Sequence, residues 1–333
     1  MKEILMIGTG GTIASEMTPE GYAPELTSEQ LLNYVPDISD FCSVTCTQVC
    51  NLDSTNITPD IWLDIAETIH RNYDRYDGFV IAHGTDTMAY SAAAMSYLVQ
   101  NSPKPIIFTG SQKPINSETT DSKTNLRDSF ICASADTLSG VFIVFNGKVI
   151  LGTRARKTHS KSFQAFSSIN YPFVAVLQDG YLLQYIDSPR PAAPVFYESL
   201  DRKVGLVKMI PGTDIGLISY MLEHNDALII ESFGVGGLPS YEGSDFYSVI
   251  ESAVKNGKTV LMTTQVQHEG SDLAVYNVGH RLKNTLNLLE AYDMTTEAAV
   301  AKLMWVLGQT KDGDKIRELF YTPIAHDILN QSR

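Results

Sequence analysis

The feature that most constrains this chain is a set of short apolar runs that recur along it. Glu3–Ile7, Gly78–Ala82, Pro105–Thr109, Gly140–Phe145, Val204–Met209, Asp226–Glu231 and Lys258–Met262 are rich in Val, Ile and Phe and are bounded by Gly, Pro or Asp. They show little alternation of apolar and polar residues. A strand with one face in water alternates, so runs of this kind predict strands covered on both faces of a parallel sheet. Between several of them lie helical patterns. Thr58-Pro59-Asp60 offers an N-cap, a proline at the first helical position and an acid in the first turn, and Ile61, Trp62, Ile65, Ala66, Ile69 and Tyr73 follow at helical spacing. Met88–Val99 and Glu297–Leu307 read the same way. Strand alternating with helix predicts an α/β fold, an open and mostly parallel Rossmann-like sheet with helices on both sides.

A chain of 333 residues is long enough for about two domains. The boundary falls at Asp187-Ser-Pro-Arg-Pro-Ala-Ala-Pro-Val, where prolines crowd together without apolar periodicity. The expectation is a larger domain over 1–186, a stiff linker over 187–203 and a smaller α/β domain over 204–333. A net charge of −13 without runs of like charge argues against nucleic acid and anionic membranes as partners. No apolar stretch approaches the ~18–20 residues of a membrane helix, and the N-terminus enters a strand rather than a signal peptide, so the cytoplasm is expected.

Four cysteines make no disulfide framework. Cys42, Cys46 and Cys50 share one face of a strand with Val44, Cys132 is remote, and no CxxC pair exists. Buried strand cysteines are therefore expected rather than a metal site, and the seven histidines form no ligand-like cluster.

Two turns carry the chemistry. Ile7-Gly-Thr-Gly-Gly-Thr-Ile-Ala-Ser and His83-Gly-Thr-Asp-Thr-Met each place glycine and threonine just past a predicted strand. As a dinucleotide fingerprint the first fails at its third glycine position, which holds Ile13, and neither turn has the Gly-Lys-Ser/Thr of a P-loop. A simple turn with an N-cap remains open for each. The other reading is catalytic. A threonine hydroxyl is a weak nucleophile that needs a base, Asp86 adjoins Thr85, and glycines let a substrate approach free backbone N–H groups. Thr153-Arg-Ala-Arg-Lys-Thr-His supplies a basic stretch in an acidic chain. There Lys157 is either a solvated surface charge or a lysine whose neighbouring cations suit it to act as a base.

Taken together, these motifs resemble the bacterial-type asparaginase family, in its cytoplasmic type I branch, over almost the whole chain. The resemblance rests on Gly10-Gly-Thr-Ile-Ala-Ser, Glu20-Gly-Tyr-Ala-Pro, Leu52-Asp-Ser-Thr, Asp77-Gly-Phe-Val-Ile-Ala-His-Gly-Thr-Asp-Thr-Met-Ala-Tyr, Thr109-Gly-Ser-Gln-Lys-Pro, the Thr153 stretch and Ser232-Phe-Gly-Val-Gly-Gly. It implies hydrolysis of L-asparagine to L-aspartate and ammonia. Thr12 would attack the side-chain amide and form a β-aspartyl ester, and Tyr22 on a mobile loop would orient it. Thr85 with Lys157 as proton acceptor, and Asp86 nearby, would form the second half of the site. Backbone N–H groups of Thr85 and Ser111 would make the oxyanion hole. Asp86 would take the α-ammonium group, and Ser54 with Thr55 the α-carboxylate.

No metal or cofactor is implied, and a homodimer or homotetramer is. The chain departs from the family pattern at Thr55, where many relatives carry Gln or Ser, and at Gly237, where many place an Asn that completes a neighbouring subunit's site. It departs again at Val266, where some cytoplasmic relatives carry a cysteine of a regulatory site. Three rivals stand beside this reading: a glutaminase-asparaginase of broad amide specificity, the related ammonia-producing subunit of transfer-RNA amidation, and a non-catalytic amino-acid-binding protein on the same fold.

Overall fold

The computed structural model describes residues 1–18, 21–188, 191, 193–239, 245–275 and 288–329, with the side chains of all of these except 17, 18, 21 and 22. The chain forms two compact units, Met1–Glu198 and Ser199–Arg333. The proline-rich stretch Asp187–Val195 ends before the division, and its Pro189, Arg190 and Ala192 lie outside the described residues.

Strands of the first unit are β1 (Lys2–Gly10), β2 (Ser15–Thr18), β3 (Gly21–Pro24), β4 (Cys42–Leu52), β5 (Gly78–Ala82), β6 (Val99–Gln100), β7 (Pro105–Thr109), β8 (Gly140–Phe145), β9 (Lys148–Leu151), β10 (Ala155–Lys157), β11 (Phe166–Ser168), β12 (Ala175–Gln178), β13 (Tyr181–Gln184) and β14 (Val195–Phe196). Its helices are α1 (Ser28–Leu32), α2 (Pro59–Asn72), α3 (Met88–Leu98) and α4 (Ser122–Ala133). Eight strands make one sheet in the order β13-β12-β9-β8-β7-β5-β1-β4. From β4 to β8 every pairing is parallel, whereas β9, β12 and β13 extend the sheet through antiparallel pairings.

The parallel strands are covered on both faces, as their unbroken apolar runs require. Ile4, Met6, Val80, Ile107, Phe142 and Val144 form one cluster with Leu126 and Phe130 of α4. Their alternating neighbours Leu5, Ile7, Phe79, Ile81, Ile106, Phe108 and Ile143 point to the opposite face and are buried as well. Each such aliphatic side chain contributes ~1.5–3 kcal/mol by leaving water. In α2, Trp62, Ile65, Ala66 and Ile69 are buried, Pro59 opens the helix, and Thr58 holds the N-cap position without a side-chain capping bond.

One expectation is corrected. Cys42 is buried, but Cys46 and Cys50 are only half-buried, because β4 is the edge strand and lacks a neighbour on one side. Burial still pushes the Cys46 thiol up to about 12.

In the second unit, β15 (Val204–Lys208), β16 (Ala227–Ser232), β17 (Thr259–Thr264) and β18 (Leu289–Glu290) form a wholly parallel sheet in chain order. With it go α5 (Ile215–His224), α6 (Phe246–Lys255), α7 (Thr296–Gln309) and α8 (Gly313–Tyr321). Val207, Leu228, Ile230, Val260 and Met262 of the strands share a separate core with Ile218, Leu222, Phe246 and Ile250 of α5 and α6.

Candidate active site

The carboxyl ends of adjacent parallel strands release their loops side by side, which is where open α/β sheets bind ligands. Thr12 follows β1, Ser54 and Thr55 follow β4, Thr85 and Asp86 follow β5, and Ser111 follows β7. The register aligns Gly10 with Leu52 and Ala82 with Thr109. Segments remote in sequence thus leave the sheet together.

Glycine lets the two turns touch. Gly11 has φ +81°, and a Cβ added there would lie 2.3 Å from Gly84 Cα and 2.4 Å from Gly84 N. A Cβ on Gly84 would in turn meet the Ser54 side chain at 2.7 Å. The Thr12 and Thr85 turns are therefore packed backbone to backbone, and the Ser54 side chain closes on Gly84, approaches only glycine permits. Two hydrogen bonds clip the last two together: Asp86 N–H donates to Ser54 Oγ at 3.2 Å and Thr87 Oγ1 to Ser54 O at 2.7 Å.

Lys157, at the end of β10, enters the same centre. Its Nζ donates to Thr85 Oγ1 at 2.7 Å and to Asp86 Oδ1 at 2.6 Å. Of the two readings open for this basic stretch, the solvated surface does not describe Arg154 or Lys157. Arg154 is wholly buried, and the Lys157 side chain is only 17% exposed. With its oxygen engaged by Lys157, Thr85 donates its own proton to Gln112 Oε1 at 3.2 Å. The Gln112 amide is held the right way round because its Nε2 donates to the carbonyls of His159 and Ser162 at 3.5 and 3.2 Å.

The remaining groups divide by what they leave available. Among the described residues the backbone N–H groups of Thr85 and Ser111 have no acceptor, although both residues are buried. Buried N–H groups are rarely left so outside binding sites. Ser54 accepts from Asp86 N–H and keeps its own proton free among the described residues. Thr55 is exposed and commits its proton to Asp53 Oδ1 at 2.6 Å, so it offers lone pairs but no donor. The Thr12 hydroxyl is half-buried and donates to none of the described residues. Tyr22 lies on β3, whose backbone pairs with β2; its side chain is outside the described residues.

Family comparison meets this geometry at the same segments. The profile described as "Asparaginase, N-terminal" matches residues 3–189, and that described as "Glutaminase/Asparaginase C-terminal domain" matches residues 203–320. The chain is 37% identical to an L-asparaginase of Thermococcus kodakarensis over 98% of this chain and 99% of that one. This chain belongs to the asparaginase family. A solved structure of the thermostable L-asparaginase from Thermococcus kodakarensis superposes with a TM-score of 0.93 at 36% identity, covering 99% of this chain and 100% of that one. The chain is also 34% identical to a subunit of the glutamyl-tRNA(Gln) amidotransferase of the same organism, over 100% of this chain and 78% of that one.

Three residues of this cluster were not singled out from sequence. Gln112 is the acceptor for Thr85. Asp121 takes the N–H groups of Gln112 and Lys113 at 3.0 and 3.2 Å and so holds the loop after β7. His83 is completely buried and braces the Thr85 turn from below. Trp62 Nε1–H donates to Ser91 Oγ at 2.9 Å, which leaves Ser91 to donate to His83 Nε2 at 2.9 Å and His83 Nδ1–H to donate to Gly84 O at 2.7 Å. Burial lowers the His83 pKa to about 4, so the ring is neutral at physiological pH. Gln112 and His83 both stand inside the quoted motifs, the only sign the sequence offers of either.

Proposed function

We propose that the protein hydrolyses the side-chain amide of L-asparagine, giving L-aspartate and ammonia, through the two threonines of this site. The observation that carries the reading is Lys157 Nζ placed 2.7 Å from Thr85 Oγ1 in a turn whose backbone touches the Thr12 turn. Thr12 attacks the amide carbon, and a β-aspartyl ester forms as ammonia leaves. Water then cleaves the ester and restores the hydroxyl. Both steps require a proton to leave an attacking oxygen. With Lys157 as the proton acceptor, Thr85 relays it to the leaving nitrogen, which departs as ammonia, in the first step, and to the Thr12 oxygen in the second.

Negative charge develops on the amide oxygen in each step. The N–H groups of Thr85 and Ser111, without an acceptor among the described residues, suit it, and one such donor typically contributes ~3–4 kcal/mol to the transition state. The zwitterionic end of the substrate is met by opposite groups. Asp86, with a side chain 56% exposed, takes the α-ammonium. Ser54 donates its free proton to the α-carboxylate. Thr55 adds acceptor contacts only. Tyr22 is assigned to orient Thr12.

We assign the protein a small-molecule substrate, the cytoplasm and a homodimeric or homotetrameric state, a reading supported by its membership of the asparaginase family; no helix among the described residues is long and apolar enough to cross a membrane. Glutamine hydrolysis is the second reading, favoured by the glutaminase/asparaginase description of the matched C-terminal region and by the likeness to the amidotransferase subunit. One methylene is worth only ~1–3 kcal/mol of discrimination in a pocket. Ammonia release from L-asparagine and from L-glutamine, with Thr12→Ala and Thr85→Ala alongside, tests both. Release from asparagine alone, lost in each variant, is the expected result. Equal release from glutamine replaces it with the second reading, and release that survives either substitution removes the two-threonine mechanism.

A further inference from the structure

A cavity of about 600 Å³ in the first unit lies beside α4; neither Thr12 nor Thr85 lines it, and Tyr34, Asp121, Lys123, Asp128, Asn146 and Asp179 are among its walls. Its volume is that of a small-molecule site, far above the ~30 Å³ of one water. Asp128 is the feature that sets its chemistry. The residue is 7% exposed, and among the described residues no hydrogen bond reaches its carboxyl group. Burial raises its pKa to about 6 against the lowering effect of Arg127, so at neutral pH a carboxylate faces the cavity without a donor.

The other charges are accounted for. Arg127 Nε donates to Asp37 at 2.6 Å. Asp121 is held by the backbone N–H groups of Gln112 and Lys113 and by Asn125 Nδ2 at 3.1 Å. Lys123 stands over the Tyr34 ring, 5.8 Å from its centroid. With Arg127 and Asp37 paired, three carboxylates, Asp121, Asp128 and Asp179, face one ammonium, Lys123. The cavity is therefore suited to a cation that brings its own N–H donors. A calcium ion asks for six or more oxygens at short range, and among the described residues no group of three or more His, Cys, Asp or Glu side chains is disposed to hold a metal.

We propose that this cavity is a second binding site, for a small primary amine whose ammonium group sits on the Asp128 carboxylate. Three N–H donors and a positive charge satisfy a buried carboxylate more fully than water does. The proposal does not depend on the asparagine reading.

Calorimetric titration of the full chain with methylammonium, 1,4-diaminobutane and tetramethylammonium tests it. The two primary amines bind, and tetramethylammonium, which has the charge but no N–H, does not. Asp128→Asn weakens amine binding about tenfold or more. Asp86→Asn, at the catalytic site, leaves it unchanged. Loss in Asp86→Asn with retention in Asp128→Asn places the amine in the substrate site and overturns the proposal, as does absence of binding or equal binding of tetramethylammonium. A readout on the unaltered chain guards against a misfolded variant: NOEs are expected between the diamine methylenes and the Tyr34 ring, and their absence equally overturns it.

Discussion

Thr85 shows how much of the proposed catalytic site is decided by the bookkeeping of a few protons. Its oxygen accepts from Lys157, and its own proton has one described acceptor, Gln112 Oε1. Gln112→Leu removes that acceptor and frees the hydroxyl rotor without touching the groups assigned to the substrate's charged ends. The expected outcome is a kcat lower by about tenfold or more with KM nearly unchanged, because general acid–base positioning is lost while ground-state binding is not. Steady-state kinetics on asparagine checks it, and a rise in KM alone would show Gln112 to be a binding group.

His83 yields a prediction at the same scale. Its folded pKa, about 4, is depressed from 6.5 by burial, so the unfolded chain binds more protons between those values. The stability linked to this residue is present in full above pH ~6.5 and is lost as pH falls toward 4, amounting to about 3 kcal/mol. Asp128 works in the opposite direction. Its folded pKa is raised to about 6, so the native state binds the extra proton and stability falls as pH rises from ~4 to 6. The two slopes offset one another in the wild-type chain. Urea unfolding between pH 4 and 6.5 should show stability rising more steeply with pH in Asp128→Asn than in the wild type, and less steeply in His83→Gln.

At the scale of elements, the site exists because strand ends bring loops together and glycine lets the loops close the last few ångströms. Gly11→Ala tests this contact. The new methyl group would lie 2.3 Å from Gly84 Cα, at a backbone φ of +81°. Backbone cannot yield there as a side-chain tip would. A loss of roughly 1–3 kcal/mol in stability is expected, together with a fall in kcat of about a hundredfold as Thr12 and Thr85 separate. Chemical denaturation and ammonia release measure the two effects, and unchanged activity would show that the turns do not act as one centre.

The elements themselves were legible to different degrees. Gly78–Ala82, Pro105–Thr109 and Gly140–Phe145 appear as strands with the boundaries their apolar runs mark. Continuous burial on both faces writes itself into composition. The short strands β10 to β13 carry no such run, so periodicity does not reveal them, and the sequence left Lys157 open between a surface charge and a base for that reason. The edge position of β4, which leaves Cys46 and Cys50 half-exposed, is likewise a property of strand order, which periodicity leaves open.

At the scale of the molecule, two units each carry their own sheet and core, the sheet parallel from β4 to β8 with an antiparallel extension in the first and wholly parallel in the second. Large side chains remain outside both cores: Tyr181, Leu183 and Tyr185 in the first, Ile210, Leu217 and Tyr220 in the second. Exposed apolar residues of this size fit the expected self-association. Sedimentation equilibrium should return two or four times the chain mass of 36.7 kDa. A mass of one chain under assay conditions would leave the site complete within a single subunit.

The sequence by itself determined the fold class, because hydrophobic periodicity and strand burial are local properties that each segment carries alone. It also determined the family, because the Gly-Thr turns and their companions are specific in kind and order. Tertiary structure alone decided which hydroxyl faces which side chain. That Lys157 meets Thr85 across 72 residues, that Gln112 takes the threonine proton, and that Thr55 turns its donor to Asp53 all follow from hydrogen-bond partnering between loops. Such partnering depends on distances of a few tenths of an ångström, which the pattern of residues along the chain does not encode.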